Sequence, residues 1–399
     1  MPRVIHCILN DLSYEQRARK IALSLSGQYE VLLVGVYTMK KCRPVSGLPC
    51  AFRRLFVPVD RGPLFFLLAN VLLFLFLLFL RRWDLVVVAD LDALVGCYWA
   101  ARFRGKRVVL DSRELYPALP SLYRRPFRRW VWQKVEAWLY PKVRYHITVS
   151  PPIADYYKKR YGIHVWLIYN LPLRQKGFAK ARPHDKLLFY QGVLHPYRGL
   201  EEVILALRMV PGWRLWIAGD GVHRPYLEAI VKQEGLQSRV LFLGLLPYEE
   251  ALSYAREATL GVSGELPVTE NHRYALPNKV FDYIQVGLPV LAGEAPLIRQ
   301  LIRGLGVGFI VESWQPKEIA SALKEIEKME DAYQDWAARA REMARRLTWE
   351  NQAKCLITLV DMALKGLPQP EWEKAEACQT GVALSKLWDK EEAFVKPAI

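Results

Sequence analysis

Short apolar runs alternate with amphipathic stretches along the whole chain. Val4–Leu9 is mostly apolar, Asn-Asp-Leu-Ser follows it, and Gln16–Leu25 has helical spacing, which predicts a strand, a loop and a helix. Val31–Val36, Arg53–Val57, Asp84–Val88 and Arg107–Leu110 read as further strands. A polar, Pro-containing break at Arg182–Lys186 precedes a second series. Its strands are Leu187–Gln191, Trp213–Ala218, Val240–Leu243, Thr259–Val262, Val290–Leu291 and Gly308–Val311. Its helices include Leu200–Arg208, Tyr226–Glu234 and Glu249–Glu257. Strands alternating with helices predict an α/β chain with parallel sheets wound on both faces. The first loop is not glycine-rich, so it lacks the dinucleotide fingerprint that a dehydrogenase needs.

Leu64–Leu80 breaks the rhythm, with 17 residues all apolar except Asn70. As a helix it would measure about 26 Å, short of a hydrocarbon core of roughly 30 Å. Arg53, Arg54 and Arg61 precede it and Arg81-Arg82 follow it, so the flanks carry no asymmetry that would orient a span. A spanning helix would also put the strands Arg53–Val57 and Asp84–Val88 on opposite faces of a bilayer. A core helix is one reading, although helices flanking such a sheet need a polar face. A helix lying shallowly in the membrane interface is the other, and the sequence favours it. Ser121–Trp138 supports that choice by interleaving Arg124, Arg125, Arg128, Arg129 and Lys134 with Trp130, Trp132 and Trp138, a mixture suited to headgroups. Its alternative is a solvated basic helix with its tryptophans packed inward.

Charge sharpens the division. The net charge is +16, and residues 1–180 hold 30 Lys+Arg against 11 Asp+Glu, so the excess lies wholly in the first half. That half faces a polyanion, and basic charge beside a long apolar run favours lipid over nucleic acid. Six cysteines lack metal-ligand spacing. Cys7 and Cys97 read as buried thiols, Cys42 and Cys50 are near enough in sequence to pair, and no secretory signal opens the chain. The expectation is a reducing cytoplasm and no structural zinc.

Glu270–Gly293 carries the strongest chemical signal. In Tyr-Ala-Leu-Pro-Asn-Lys-Val-Phe-Asp-Tyr, Pro277 suits the first turn of a helix, and Asn278, Lys279 and the nearby N–H groups then sit at its positive end, a site for an anion. Asp282 lies one turn on, placed to accept hydrogen bonds from sugar hydroxyls. Alone, the Pro-Asn-Lys triplet reads equally well as a capped surface helix before a buried strand.

The whole segment resembles the sugar-nucleotide-binding helix of family 4 glycosyltransferases, retaining enzymes with two Rossmann-like domains facing a central cleft, the GT-B fold. In that family a Glu, seven residues and a second Glu hold the donor sugar and the ribose. Asp282 falls at the second position, whereas Tyr274 replaces the first carboxylate. The resemblance implies an acceptor-side domain over 1–181, including the membrane-associating segment 64–80, and a nucleotide-sugar domain over 182–348. It also implies a terminal helix over 349–366 that crosses back, followed by a partly ordered tail over 367–399.

The same resemblance implies roles. Gly192–Gly199 matches the loop whose Arg or Lys holds the donor diphosphate, so Arg198 takes that place, while Val193 replaces the family's other basic residue. Arg198 and Lys279 would neutralise the leaving diphosphate, Asp282 would hold the ribose, and Tyr274, Ala275, Leu276 and Pro277 would line the sugar. Gly219-Asp220-Gly221 resembles the nucleotide-base loop. Asp111-Ser112-Arg113-Glu114 resembles an Asp-Ser-His-Glu segment. There Arg113 is placed for an acceptor phosphate, or the stretch is a capped loop with Glu114 paired to an arginine. Asp90 and Asp92 look superficially like an Asp-x-Asp metal site but equally suit helix N-caps. Asn10 and Asp11 in the first loop would face acceptor or phosphate.

The expected activity is therefore metal-independent hexosyl transfer from a nucleotide-diphosphate sugar to a membrane-associated, lipid-linked glycan at the cytoplasmic membrane face. No cofactor beyond that donor and no nucleic-acid partner is expected. An epimerase of the same fold and a catalytically silent binding partner are the alternatives.

Overall fold

The computed structural model describes residues 1–13, 15–40, 44–45, 47–122, 125–179, 185–370, 378 and 384–387. Cys42, Arg124, residues 182–184 of the expected break and most of the expected tail lie outside the described residues.

The chain divides into two compact units, Met1–Asn170 with Trp349–Val382, and Leu171–Thr348 with Ala383–Ile399. The first unit is built on a parallel seven-stranded sheet: β1 (Arg3–Cys7), β2 (Glu30–Tyr37), β3 (Ala51–Phe56), β4 (Leu85–Ala89), β5 (Arg107–Ser112), β6 (Tyr145–Thr148) and β7 (Val165–Leu167), ordered β3-β2-β1-β4-β5-β6-β7. Its helices are α1 (Gln16–Leu25), α2 (Pro63–Phe79), α3 (Leu94–Phe103), α4 (Pro126–Leu139) and α5 (Pro151–Tyr161). The sequence reading lacks β6 and β7. One mixes His and Thr into four residues and the other is three residues long, too short for either to show a period.

The apolar run forms α2, and it has two different faces. Ala69, Leu73 and Leu77, each four residues apart, are buried. Leu64, Leu67, Val71, Leu75 and Phe79 remain 41–77% exposed. Gly96 lets α3 approach, because a Cβ there would lie 2.2 Å from the Asn70 carbonyl oxygen. The Asn70 side chain then ties the two elements, donating to the Asp92 carbonyl at 2.7 Å and accepting from the Gly96 N–H at 2.9 Å. The one polar residue in the run is thus a packing clamp. Neither reading of this run was complete, since the helix packs on α3 and still presents an apolar stripe outward. Among the described residues no helix is long and apolar enough to cross a membrane. On α4, Trp132 packs edge-on against Phe66 at 5.2 Å and Tyr116 at 4.7 Å, while Phe127, Trp130 and Trp138 are exposed.

The second unit repeats the plan with a parallel six-stranded sheet: β8 (Leu187–Gln191), β9 (Arg214–Ala218), β10 (Val240–Gly244), β11 (Leu260–Ser263), β12 (Val290–Ala292) and β13 (Gly308–Ile310), ordered β10-β9-β8-β11-β12-β13. Its helices are α6 (Leu200–Leu207), α7 (Arg224–Gln233), α8 (Tyr248–Glu257), α9 (Glu270–Tyr274), α10 (Asn278–Gln285), α11 (Pro296–Leu305), α12 (Pro316–Ile326) and α13 (Glu330–Arg346). Leu188, Ile217, Trp213 and Trp314 anchor its core.

α14 (Trp349–Lys365) belongs to the first unit. Trp349 donates to the Ser24 hydroxyl at 2.8 Å, and Tyr29 donates to Asp361 at 2.6 Å. Cys7 and Cys97 are buried free thiols, but Cys355 of α14 is disulfide-bonded to Cys378. The sequence reading assigned neither Cys355 nor Cys378 a partner, because a separation of 23 residues carries no spacing signal.

Candidate active site

The decisive segment builds a short amphipathic helix and buries almost all of it. In α10, Lys279, Val280, Phe281, Asp282, Tyr283, Ile284 and Gln285 are all buried. Pro277 is not inside the helix as expected. Its ψ of 132° makes it the N-cap, and the helix starts at Asn278. Tyr283 sits against β11 where only glycine leaves room, because a Cβ on Gly261 would lie 2.3 Å from the ring. That contact fixes the height of α10 over the sheet.

Lys279 is anchored at the first turn. Its Nζ lies 2.5 Å from the Glu265 carboxylate and 3.8 Å over the Tyr190 ring centroid. Arg198 approaches the same carboxylate at 3.7 Å, and the Ser263 hydroxyl donates to its other oxygen at 2.7 Å. Burial pushes the Lys279 ammonium down to about 8, against the pull of Glu265. Burial would raise the Glu265 carboxyl, but Lys279 and then Arg198 outweigh it and hold the carboxyl below its ordinary range. Two cations and one buried carboxylate therefore share one spot at the carboxyl ends of β8 and β11, where open α/β sheets bind ligands.

One turn on, both oxygens of Asp282 accept hydrogen bonds, from Gln191 Nε2 at 2.6 Å and from the Tyr248 hydroxyl at 2.7 Å. Beside them two glycine loops interlock. A Cβ on Gly219 would lie 1.9 Å from the Gly192 oxygen, and one on Gly221 would lie 2.3 Å from the Leu194 oxygen. The Leu194 N–H donates to the Asp220 carbonyl at 3.0 Å, sealing the pair. Gly199, at φ 73°, caps α6 and turns the chain so that Arg198 faces Glu265. Tyr274 ends α9, and Tyr274, Ala275, Leu276 and Pro277 run from it with intermediate exposure to Asn278, which is exposed at the start of α10.

The acceptor-side candidates lie in the first unit, at the carboxyl ends of β1, β4 and β5. Arg113 faces two carboxylates, Asp90 at 2.6 Å and Glu15 at 2.6 Å, so its guanidinium is engaged within the protein. Asp90 sits at the N-cap position of the turn Leu91–Ala93, but its side chain makes no cap hydrogen bond. Its carboxylate accepts from the Arg113 N–H at 2.8 Å and from Nε at 2.6 Å, and its φ is 62°. Asn10 donates to Glu15 at 2.7 Å, and Asp11 accepts from the Ser13 N–H at 2.9 Å. Burial, with Asp90 next, pushes the Asp92 carboxyl up to about 8. Glu114 is exposed.

Residues 15–171 match the model described as Glycosyltransferase Family 4, and residues 174–343 match the one described as Glycosyl transferases group 1. The chain belongs to glycosyltransferase family 4. The glycogen synthase of Mycobacterium tuberculosis is 26% identical over 255 residues, 59% of this chain and 58% of that protein. The D-inositol 3-phosphate glycosyltransferase of Corynebacterium urealyticum is 29% identical over 42% of this chain and 37% of that protein. The chain thus spans less than two thirds of the curated relatives it matches. Sucrose-phosphate synthase from Thermosynechococcus elongatus superposes with a TM-score of 0.75 at 14% identity, covering 92% of this chain and 100% of that one. HepE of Anabaena in complex with UDP gives 0.66 at 15%, covering 90% and 100%. These likenesses show the GT-B fold.

As a family 4 glycosyltransferase, the chain gathers Arg198, Lys279, Asp282, Gly219, Gly221 and the Tyr274–Asn278 stretch within its second unit. Glu265, Gln191 and Tyr248 escaped the sequence reading. The signal for Glu265 is visible afterwards: an apolar strand ending in Ser-Gly-Glu delivers a carboxylate to the carboxyl edge of the sheet. Tyr248 carries no such mark, because only folding brings α8 to α10.

Proposed function

We propose that this chain is a retaining glycosyltransferase that moves a sugar from a nucleotide-diphosphate sugar to a membrane-associated, lipid-linked glycan. The observation that carries the donor half is the cluster of Arg198 and Lys279 about Glu265 at the mouth of the second sheet. A leaving diphosphate demands fixed positive charge, and these two cations supply it in a largely desolvated place. Glu265 holds them until phosphate oxygens arrive. Asp282 takes the ribose by exchanging the Tyr248 or Gln191 hydrogen bond for a sugar hydroxyl, and Tyr274–Pro277 line the sugar. Departure and attack on the same face need no protein nucleophile, so the site requires no second carboxylate placed for covalent chemistry. The name of the Anabaena structure, a complex with UDP, makes uridine diphosphate the first nucleotide to test.

The acceptor half rests on the exposed apolar stripe of α2 and on the arginines and tryptophans of α4, both in the first unit. Together they suit the cytoplasmic face of an anionic membrane. The deciding experiment incubates the chain with a panel of nucleotide sugars and a lipid-phosphate glycan extract, following sugar transfer into the lipid phase by mass spectrometry. Transfer with retained anomeric configuration supports the reading. Nucleotide-sugar isomerisation without transfer, or binding without turnover, overturns it.

A further inference from the structure

One unexplained feature is a cavity of about 700 Å³ contained wholly in the first unit. That size falls within the usual range for small-molecule sites, about 300–1,000 Å³. Its floor comes from Leu9, Asn10 and Asp11 after β1, from Val36 and Thr38 at the end of β2, and from Asp92 after β4. The floor therefore lies at the carboxyl edge of the sheet, where backbone geometry favours ligands. Its walls are unlike the floor. Phe65 and Phe66 of α2 and Val131, Trp132 and Val135 of α4 line them, and Phe66 and Trp132 touch edge-on. Three exposed arginines, Arg61, Arg125 and Arg128, ring the opening. Exposed Leu67 and Phe127 continue the apolar wall outward, at 60% and 73% exposure.

This layering has a direction: polar floor, apolar wall, cationic rim, then an apolar outer surface. A soluble sugar would leave the walls without partners, and a plain hydrocarbon would leave the floor and the rim unmatched. Resting on the reading of a lipid-linked acceptor, we infer that the cavity between α2 and α4 binds the chain of a phosphorylated amphiphile. Its phosphate meets Arg61, Arg125 and Arg128, and its chain lies along Phe65, Phe66, Val131 and Trp132. Charge complementarity picks this occupant, since three guanidiniums beside an apolar wall select a phosphate that carries a chain.

The test uses the full chain and dodecyl phosphate below its aggregation concentration, with dodecanol and inorganic phosphate as controls. Binding is followed by calorimetry and by tryptophan fluorescence, and nucleotide diphosphate binding is measured in parallel. Dodecyl phosphate should bind more tightly than either control. Val131→Glu puts a carboxylate on the exposed part of the wall and should weaken it by about tenfold, with nucleotide affinity unchanged within about twofold. Arg125→Ala with Arg128→Ala should erase the preference for dodecyl phosphate over dodecanol. If dodecyl phosphate binds no better than inorganic phosphate, or Val131→Glu binds it undiminished, the inference is overturned while nucleotide binding still stands. Intact dodecyl phosphate binding with no nucleotide binding would sink the donor reading and leave the cavity assignment standing. Binding that appears only with anionic vesicles and is untouched by Val131→Glu assigns the arginines to headgroups and overturns the chain site.

Discussion

Lys279 and Glu265 form a buried ion pair with their charged atoms 2.5 Å apart, and both side chains are less than a tenth exposed. Such a pair costs desolvation on both sides, so stability alone is a weak reason for it. A better reason is positional. The carboxylate holds a lysine and an arginine facing the same space, where their repulsion would otherwise spread them. Phosphate oxygens entering that space exchange one anionic partner for another.

Glu265→Gln tests this exchange. Breaking a buried pair from one side costs roughly 3–5 kcal/mol, so the variant should melt well below the parent. It should also gain more thermal stability from a saturating nucleotide diphosphate than the parent gains, because the phosphate replaces the lost charge. Differential scanning fluorimetry across a nucleotide titration reads both effects. Equal gains in the two proteins would mean that Glu265 does not share its cations with the ligand.

Arg198→Ala should remove one charge-assisted contact with the diphosphate, about 1.5–3 kcal/mol of affinity. Folding should change little, since the Arg198 side chain is about a third exposed and makes its ion pair at 3.7 Å. Calorimetry with nucleoside against nucleoside diphosphate separates the contributions. A loss equal for both ligands would place Arg198 at the base or ribose instead.

Asp282→Asn retains the volume but loses the charge that two donors, Gln191 and Tyr248, converge on. Nucleotide affinity should fall, and Tyr248→Phe should raise it, because removing a competing donor leaves a carboxylate lone pair for the ribose. If Asp282→Asn lowers the melting temperature and leaves nucleotide affinity alone, Asp282 is a structural hub only.

Most strands were legible in the sequence because a buried parallel strand is often a short continuous apolar run, as Leu85–Ala89 shows, whereas β6, Tyr-His-Ile-Thr, is buried without being one. The polar contacts were not. Arg113 reads in sequence either as a cation for an acceptor phosphate or as part of a capped loop, and only folding reveals Asp90 and Glu15 closing on it. Asn70 looks like a blemish in an apolar run, yet it joins α2 to α3. Pairings between residues distant in sequence leave no trace in local periodicity, so Glu265 and Tyr248 stayed hidden beside the visible Lys279 and Asp282.

Glu136 gives a pH dependence. It is a buried residue of α4, accepting from the Tyr161 hydroxyl at 2.8 Å and from Tyr156 at 3.3 Å, and burial pushes its carboxyl up to about 7, with those hydroxyls and Arg160 opposing. A carboxyl raised in the folded state holds its proton there after the unfolded chain has lost it. Its stabilising effect is complete below the unfolded value and fades as pH rises through about 7. Glu136→Gln keeps a neutral acceptor, so its melting temperature relative to the parent should climb between pH 5 and about pH 8. A constant difference across that range would show that Glu136 does not titrate there.

Membrane association turns on which residues of α2 face outward. Substituting Leu73 and Leu77 would gut the packed stripe and unfold the unit, because both are fully buried. The informative variant replaces Leu64, Leu67, Val71 and Leu75 with Ser, all of them exposed. The parent chain should co-sediment with anionic liposomes. High salt should weaken that binding without abolishing it, since apolar insertion is unscreened while the arginine contribution is screened within about 10 Å at 0.1 M salt. The serine variant should stay in the supernatant at high salt and retain partial binding at low salt, with its melting temperature near that of the parent. Undiminished sedimentation of a folded serine variant would move the contact to α4, where Phe127 and Trp130 stack at 6.0 Å on the exposed face. If the parent itself ignores liposomes at low salt, the apolar stripe of α2 serves some other surface, and the lipid-linked acceptor loses its main physical support.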